Sequence, residues 1–117
     1  MRNSSVPSPG RPTRGSATGR PIMALLDLLG RRWALRVIWE LRSERLSFRE
    51  LQERCAGMSS SVLNDRLREL READIVTLAP GGYELSKEGH ALLDAYGPLQ
   101  AWAKRWARRI HGGARQE

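Results

Sequence analysis

Residues 47–73 read SFRELQERCAGMSSSVLNDRLRELREA, and the fold turns on how this stretch is parsed. Ser47 with Glu50 three residues on is a capping box: the hydroxyl can take an orphan backbone N–H and the carboxylate can reach back to the cap. It opens a helix with Phe48, Leu51 and Cys55 on one face. Gly57 stops that helix, and residues 55–59 form the turn. Ser59 then caps a second helix whose Leu63, Leu67 and Leu70 recur at helical spacing and point inward. Two short helices joined by a tight turn that contains glycine make a helix-turn-helix unit.

Downstream, residues 75–79 are β-rich, Pro80-Gly81-Gly82 is a turn signal, and Tyr83-Glu84-Leu85 alternates. This predicts a short hairpin. A helix-turn-helix followed by a hairpin is a winged helix-turn-helix. Ser86 caps a last helical region. In it Leu92, Tyr96, Leu99, Ala103, Trp106 and Ile110 recur at alternating steps of four and three. That heptad-like seam is longer than a small domain needs for itself. Pro98 cannot donate to the carbonyl of Asp94, so a kink or restart is expected there.

Upstream, Ile22, Leu25, Leu26 and Leu29 predict a short amphipathic helix ending at Gly30. Residues 32–42 are apolar all round except for the single stripe Arg32, Arg36 and Glu40, the pattern of a central, buried helix. The expected fold class is therefore mainly α with a small β-hairpin. Residues 21–110 form one domain, residues 1–20 a disordered basic tail and residues 111–117 a disordered C-terminal tail. Residues 1–20 mix Pro, Gly, Ser, Thr and Arg and have too little apolar surface to offset chain entropy. They lack the apolar core of a secretory signal. Their acid-free, Ser-rich composition also allows a transit peptide, but the amphipathic hydrophobic positions are missing.

The chain of 117 residues has a net charge of +7, and the excess sits at its ends. Residues 1–20 hold four Arg and no acid; residues 104–117 hold five cations and one acid, which leaves residues 21–103 at −1. Net charge alone therefore does not make the folded body a nucleic-acid binder. No apolar run approaches the 18 or so residues of a transmembrane helix. The single cysteine, Cys55, excludes an internal disulfide and suits a reducing cytoplasm. Its place on the inward face reads as a small core residue rather than a redox sensor. His90 and His111 stand alone, so neither metal nor other cofactor is expected. No nucleophile–base pair, phosphate loop or carboxylate pair suggests an enzyme.

With the leucines buried, the second helix of the unit turns Ser61, Asn64, Asp65, Arg68 and Glu72 outward, and Ser60 lies at its amino-terminal end. Asn64 suits adenine N6/N7, and Arg68 suits guanine O6/N7 or a phosphate. Short residues let the helix end approach the DNA backbone. The predicted DNA-binding residues are Arg49, Ser59, Ser60, Ser61, Asn64, Asp65, Arg66 and Arg68. Ser59 reads first as a helix cap, with phosphate contact the alternative. The balanced charges of residues 59–73 also fit an ordinary solvated face, so a winged-helix module that binds a partner protein is the alternative. The predicted dimer interface comprises Ile22, Leu25, Leu26, Leu92, Tyr96, Leu99, Trp102, Ala103, Trp106 and Ile110. Trp33, Trp39, Trp102 and Trp106 read as core and interface packing, the alternative being a pocket between subunits for a small-molecule effector. Arg105, Arg108 and Arg109 fit either an acidic partner or a helix end favoured by its dipole.

Several segments resemble the HxlR-type winged-helix regulators of bacteria. Residues 24–33 (ALLDLLGRRW) are similar to that family's LDLIGGKW, residues 46–51 (LSFREL) to its RRFNEL, and residues 56–59 with 63–70 (AGMS and LNDRLREL) to its PGIS and LSxRLREL. Tyr83-Glu84-Leu85-Ser86 with Gly89 resembles YxLTxxG, and Leu99 with Trp102 resembles LxxW. The resemblance covers residues 20–106. It implies a dimer joined through the first and last helices, with MarR-like arrangement and each recognition helix in a major groove of double-stranded DNA. Three departures stand out. Arg20 replaces the cysteine that the family commonly carries before its first helix, which removes the thiol switch of some members. The wing is short, and its tip Pro80-Gly81-Gly82 offers no cation to a minor groove. Arg31 replaces the second glycine of the family's pair.

Overall fold

The inward stripe of residues 63–70 closes against two other apolar faces. Leu63, Leu67 and Leu70 pack in one cluster with Val37, Ile38, Leu41, Leu51, Cys55 and Met58, all buried. The computed structural model describes Pro9 and residues 20–112. Its elements are α1 (Pro21–Leu29), α2 (Ala34–Glu40), α3 (Phe48–Arg54), α4 (Ser60–Glu72), β1 (Val76–Ala79), β2 (Gly82–Leu85) and α5 (Lys87–Ile110). The described residues are thus mainly helical with a two-stranded antiparallel hairpin, a winged helix-turn-helix. The proposed tails lie outside the described residues, apart from Pro9, Arg20, His111 and Gly112.

Three serines set where helices begin. Ser47 Oγ accepts from the Glu50 N–H at 3.1 Å while Glu50 Oε1 accepts from the Ser47 N–H at 2.8 Å, which completes the capping box. Ser59 Oγ accepts from the Val62 N–H at 3.2 Å. Ser86 Oγ accepts from the Gly89 N–H at 3.0 Å and donates to the Asp74 carbonyl at 2.7 Å, tying the start of α5 to the end of the helix-turn-helix. Between α3 and α4 the chain reverses through Gly57 at φ 98°, a left-handed conformation that a side chain would strain.

The hairpin register runs from Val76↔Leu85 to Ala79↔Gly82, so Pro80 and Gly81 form a two-residue turn. The wing is anchored near its tip: Leu46, just before α3, exchanges backbone hydrogen bonds with Tyr83 at 2.9 and 2.7 Å. Gly89 fits because α5 starts directly over the base of the hairpin; a Cβ there would sit 2.3 Å from the Ile75 carbonyl oxygen.

Two elements differ from the sequence reading. The buried central helix starts at Ala34, not Arg32, because Trp33 adopts φ 76° and breaks helical continuity at the α1–α2 corner. α5 passes through Pro98 as one helix without a restart. Asp94, Gly97 and Pro98 are all exposed, so water can satisfy the carbonyl that proline leaves unpaired. From Gly97 to Gly112 every residue of the chain is exposed, so the second half of α5 projects from the domain.

Candidate nucleic-acid interface

Burial of Leu63, Leu67 and Leu70 fixes the rotation of α4 and leaves Ser60, Ser61, Asn64, Asp65, Arg68 and Glu72 exposed together. Ser59 caps the helix yet stays exposed, and its Oγ lies 3.4 Å from that of Ser61. The amino-terminal end of α4 is therefore a cluster of short hydroxyl side chains beside free solvent, shaped for close approach to a phosphate backbone. Arg68 lies between Asp65 at 3.8 Å and Glu72 at 3.7 Å. The Asp65 pair is long and exposed on both sides, and such a pair contributes little and is readily exchanged for another acceptor. Arg49 stands on the exposed side of α3 with no ion pair among the described residues.

Arg66 departs from the predicted set. Its side chain is only 16% exposed and its Nη1 binds Glu69 Oε1 at 3.1 Å, so it faces the domain rather than the outer surface of α4. Glu69 is itself buried and accepts a second bond, 2.9 Å, from Arg31 Nη1 in the α1–α2 corner. Position 66 lies one turn from Leu70 on the same side of the helix, and the buried carboxylate holds its guanidinium there.

Two cations escaped the sequence reading. Arg71 is exposed at the carboxyl end of α4, carries no ion pair among the described residues, and lines a cleft of about 520 Å³ with Arg68, Thr77 and Leu78 of β1. Its spacing from Arg68 and Asn64 places it on their flank of the helix, a periodicity signal that was available in the sequence. Arg45 supplies the cation that the wing lacks: its Nη1 donates to the Pro80 carbonyl at 2.6 Å and its Nε to Glu84 Oε1 at 3.1 Å. No local motif announces this contact, because Arg45 and Pro80 are 35 residues apart.

The predicted dimer residues fall into two groups. Ile22 and Leu26 on α1, and Leu99, Trp102, Ala103, Trp106 and Ile110 on α5, are exposed; Leu25, Leu92 and Tyr96 are half-buried against the domain. Trp102 and Trp106 stack with ring centroids 5.8 Å apart. Trp39 joins the exposed set, with the Arg42 guanidinium 3.9 Å above its ring. Cys55 is wholly buried at the end of α3, and burial pushes its thiol pKa up. Among the described residues, no three His, Cys, Asp or Glu side chains gather as a metal site, and no helix is long and apolar enough to cross a membrane.

A capped helix-turn-helix with an open amino-terminal reading end, followed by a hairpin wing, defines the class of DNA-binding transcription regulators. Within that class the chain belongs to the HxlR-like helix-turn-helix family, whose model matches residues 28–111. This is a family of transcription regulators and not of enzymes. Among curated relatives, the HTH-type regulator YvaP of Bacillus subtilis is 28% identical over 88 residues, 69% of this chain and 82% of YvaP. YodB of the same organism is 33% identical over 84 residues, 66% of this chain and 75% of YodB. The crystal structure of quinone-bound YodB superposes with a TM-score of 0.69 at 32% identity, over 72% of this chain and 96% of YodB. A MarR-family transcriptional regulator of Enterococcus faecalis gives 0.70 at 30% identity, over 77% and 88% of the two chains.

Proposed function

We propose that the protein is a homodimeric repressor that binds a pseudo-palindromic operator, with α4 of each protomer in a major groove. The observation that carries this reading is the pairing of two exposed features in one domain. α4 turns a hydroxyl-rich end with Asn64 and Arg68 to solvent, and α5 projects a long apolar face that a lone domain leaves uncovered. Dimeric half-sites one helical turn apart, about 34–36 Å, are the geometry that such a pair serves. Arg49, Arg71 and Arg45 contact phosphates on either side, and Asn64 and Arg68 reach base edges. A dimer lying across promoter DNA in the cytoplasm blocks polymerase without an activation surface. No thiol switch is part of this reading, because Arg20 stands where the family commonly has its cysteine and Cys55 is buried.

Selection on random duplexes followed by binding at increasing salt tests the reading. The expected result is an inverted repeat, bound with a log–log salt slope of about −0.9 for each phosphate contacted. Failure to enrich any duplex, with affinity flat in salt, overturns it in favour of a winged-helix module that docks on a protein.

A further inference from the structure

Glu69 is the one buried charged side chain among the described residues, and DNA contact makes no use of it. It sits on α4, the helix proposed to read DNA, turned about 100° round the axis from its neighbour Arg68 and away from solvent. Its two oxygens are held from different parts of the chain: Oε2 by Arg31 Nη1 at 2.9 Å and Oε1 by Arg66 Nη1 at 3.1 Å. Arg31 also reaches back to Asp27 Oδ2 of α1 at 3.9 Å. The side chains of Asp27, Arg31, Glu69 and Arg66 are all less than one-fifth exposed. The outcome is a charged clamp in which a residue of α1, a residue of the α1–α2 corner and two residues of α4 are linked. α1 carries Ile22, Leu25 and Leu26, part of the proposed dimer face.

We infer that Arg31 is a positioning residue that fixes the angle of the reading helix relative to the dimer face, and so sets the half-site spacing that the dimer accepts. This rests on the proposed function. The physical argument is one of stiffness and direction. Apolar packing of Leu63, Leu67 and Leu70 restrains α4 in depth but tolerates small rotations and slides, since dispersion contacts are numerous and non-directional. A carboxylate held by two guanidinium groups in a partly dry site is restrained in direction, because charge-assisted hydrogen bonds are short and angular and the low local dielectric strengthens them. A glycine at position 31, as in the related pattern, would leave Glu69 held by Arg66 alone, within its own helix. The link between α4 and α1 would then lose the directional ion pair that runs through Arg31. In a dimer, a small change in the tilt of each α4 moves the two reading ends apart or together, and the operator registers that as spacing and helical phase.

The test uses the full chain and the operator obtained by selection, remade with one or two base pairs added or removed between half-sites, beside a duplex with a single half-site. Arg31→Met keeps the stem and removes the charge while Glu69 stays paired with Arg66; Asp27→Asn weakens the α1 end alone; Arg31→Lys is the conservative control. The parent is expected to bind altered spacings about ten-fold more weakly or worse. Arg31→Met should bind the single half-site within about two-fold of the parent yet spread its affinity over neighbouring spacings, narrowing that penalty to about three-fold or less. Asp27→Asn should shift the same way to a smaller degree, and Arg31→Lys should restore the sharp profile. A folded, dimeric Arg31→Met with the parent's spacing profile overturns the inference. So does an equal loss on half-site and full operator, which would mark a purely structural role. If Arg31→Met does not fold, the spacing profile of Asp27→Asn decides the question in the same terms. A parent that selects no duplex fails at the proposed function itself, and the inference falls with it.

Discussion

Arg66 and Arg68 stand two positions apart on α4 and meet opposite fates. Arg68 lies over the open face between two distant carboxylates, while Arg66 is folded inward onto Glu69. In the sequence both are arginines with an acid three residues on or back, and helical periodicity alone does not say which acid is buried. That depends on Arg31, 38 residues from Glu69, whose contact no local pattern encodes. The outward set Ser60, Ser61, Asn64 and Arg68 was legible because it follows from the leucine stripe. Replacing Asn64 or Arg68 by Ala should weaken operator binding by about 1–3 kcal/mol each, with the melting temperature unchanged. Arg66→Ala should do the reverse. It should lower the melting temperature, by a destabilisation of about 1–3 kcal/mol from a buried carboxylate that loses a partner, and leave the binding of folded protein close to the parent's. Titration of each variant against the selected duplex, beside thermal melts, separates the two classes; an Arg66→Ala that melts like the parent but fails to bind would return Arg66 to the DNA face. Cys55 was placed inward by the same periodicity, and its burial and raised pKa make it a poor thiolate at neutral pH. Operator affinity should therefore be unchanged by diamide, and thiol labelling of the folded chain should be slow. Affinity lost on oxidation and preserved in Cys55→Ser would contradict this.

At the scale of elements, the legible features were those that helix and turn chemistry write locally. The three serine caps and the Pro-Gly turn each lie within a few residues of what they organise. The start of α2 was misread because Trp33 in a left-handed conformation looks, in sequence, like one more apolar helical residue. Leu46 as an anchor for the wing was missed because a one-residue bridge has no periodicity. The capping box yields a pH prediction. The Glu50 carboxyl is held below its ordinary value of 4.5, first by the Ser47 backbone N–H and then by the Ser47 side chain. A carboxylate whose pKa is lower folded than unfolded contributes stability that is present above the unfolded value and lost as pH falls through the folded one. The melting-temperature advantage of the parent over Glu50→Ala should thus be full at neutral pH and shrink on acidification from about pH 5 downwards. An advantage that does not change with pH would mean that the carboxylate does not act through its charge. The start of α5 gives a steric counterpart. Gly89→Ala would push a methyl group to within 2.3 Å of the Ile75 carbonyl oxygen, with Leu85 also at 3.2 Å, so α5 must lift from the base of the hairpin. A destabilisation of about 1–3 kcal/mol is expected by denaturant titration, typical of overpacking, whereas Gly97→Ala, with nothing within 4 Å, should not destabilise.

For the whole molecule, the question is what covers α5. The alternating four–three spacing made the face visible in sequence, but not that its second half would leave the domain; that requires knowing where the core ends, at Leu92 and Leu93. Beyond them Leu99, Trp102, Trp106 and Ile110 are each at least half exposed, on about 20 Å of helix between Gly97 and Ile110. Four large apolar side chains at heptad-like spacing are a poor surface for a monomer and a good one for a second copy. Burying the exposed half of one tryptophan, roughly 100 Å², is worth about 2 kcal/mol, and in a symmetric dimer each contact occurs twice. Light scattering at micromolar concentration should give twice the chain mass of 13.2 kDa. Trp106→Arg removes one such contact from each protomer and adds a cation next to Arg105, Arg108 and Arg109, so like charges gather where two copies would meet. A loss of about 4 kcal/mol in dimer stability corresponds to roughly a thousand-fold in dissociation constant. The variant should therefore sediment as a monomer where the parent is a dimer, while its helical signal persists because the core does not include α5 beyond Leu93. DNA binding should fall with it, since the second half-site loses the effective concentration that tethering supplies, whereas affinity for a single half-site should stay within a few-fold of the parent's. A parent that scatters as a monomer, or a Trp106→Arg variant that remains dimeric with full operator affinity, would mean that the apolar face of α5 serves some other contact and that half-sites are paired elsewhere on the domain.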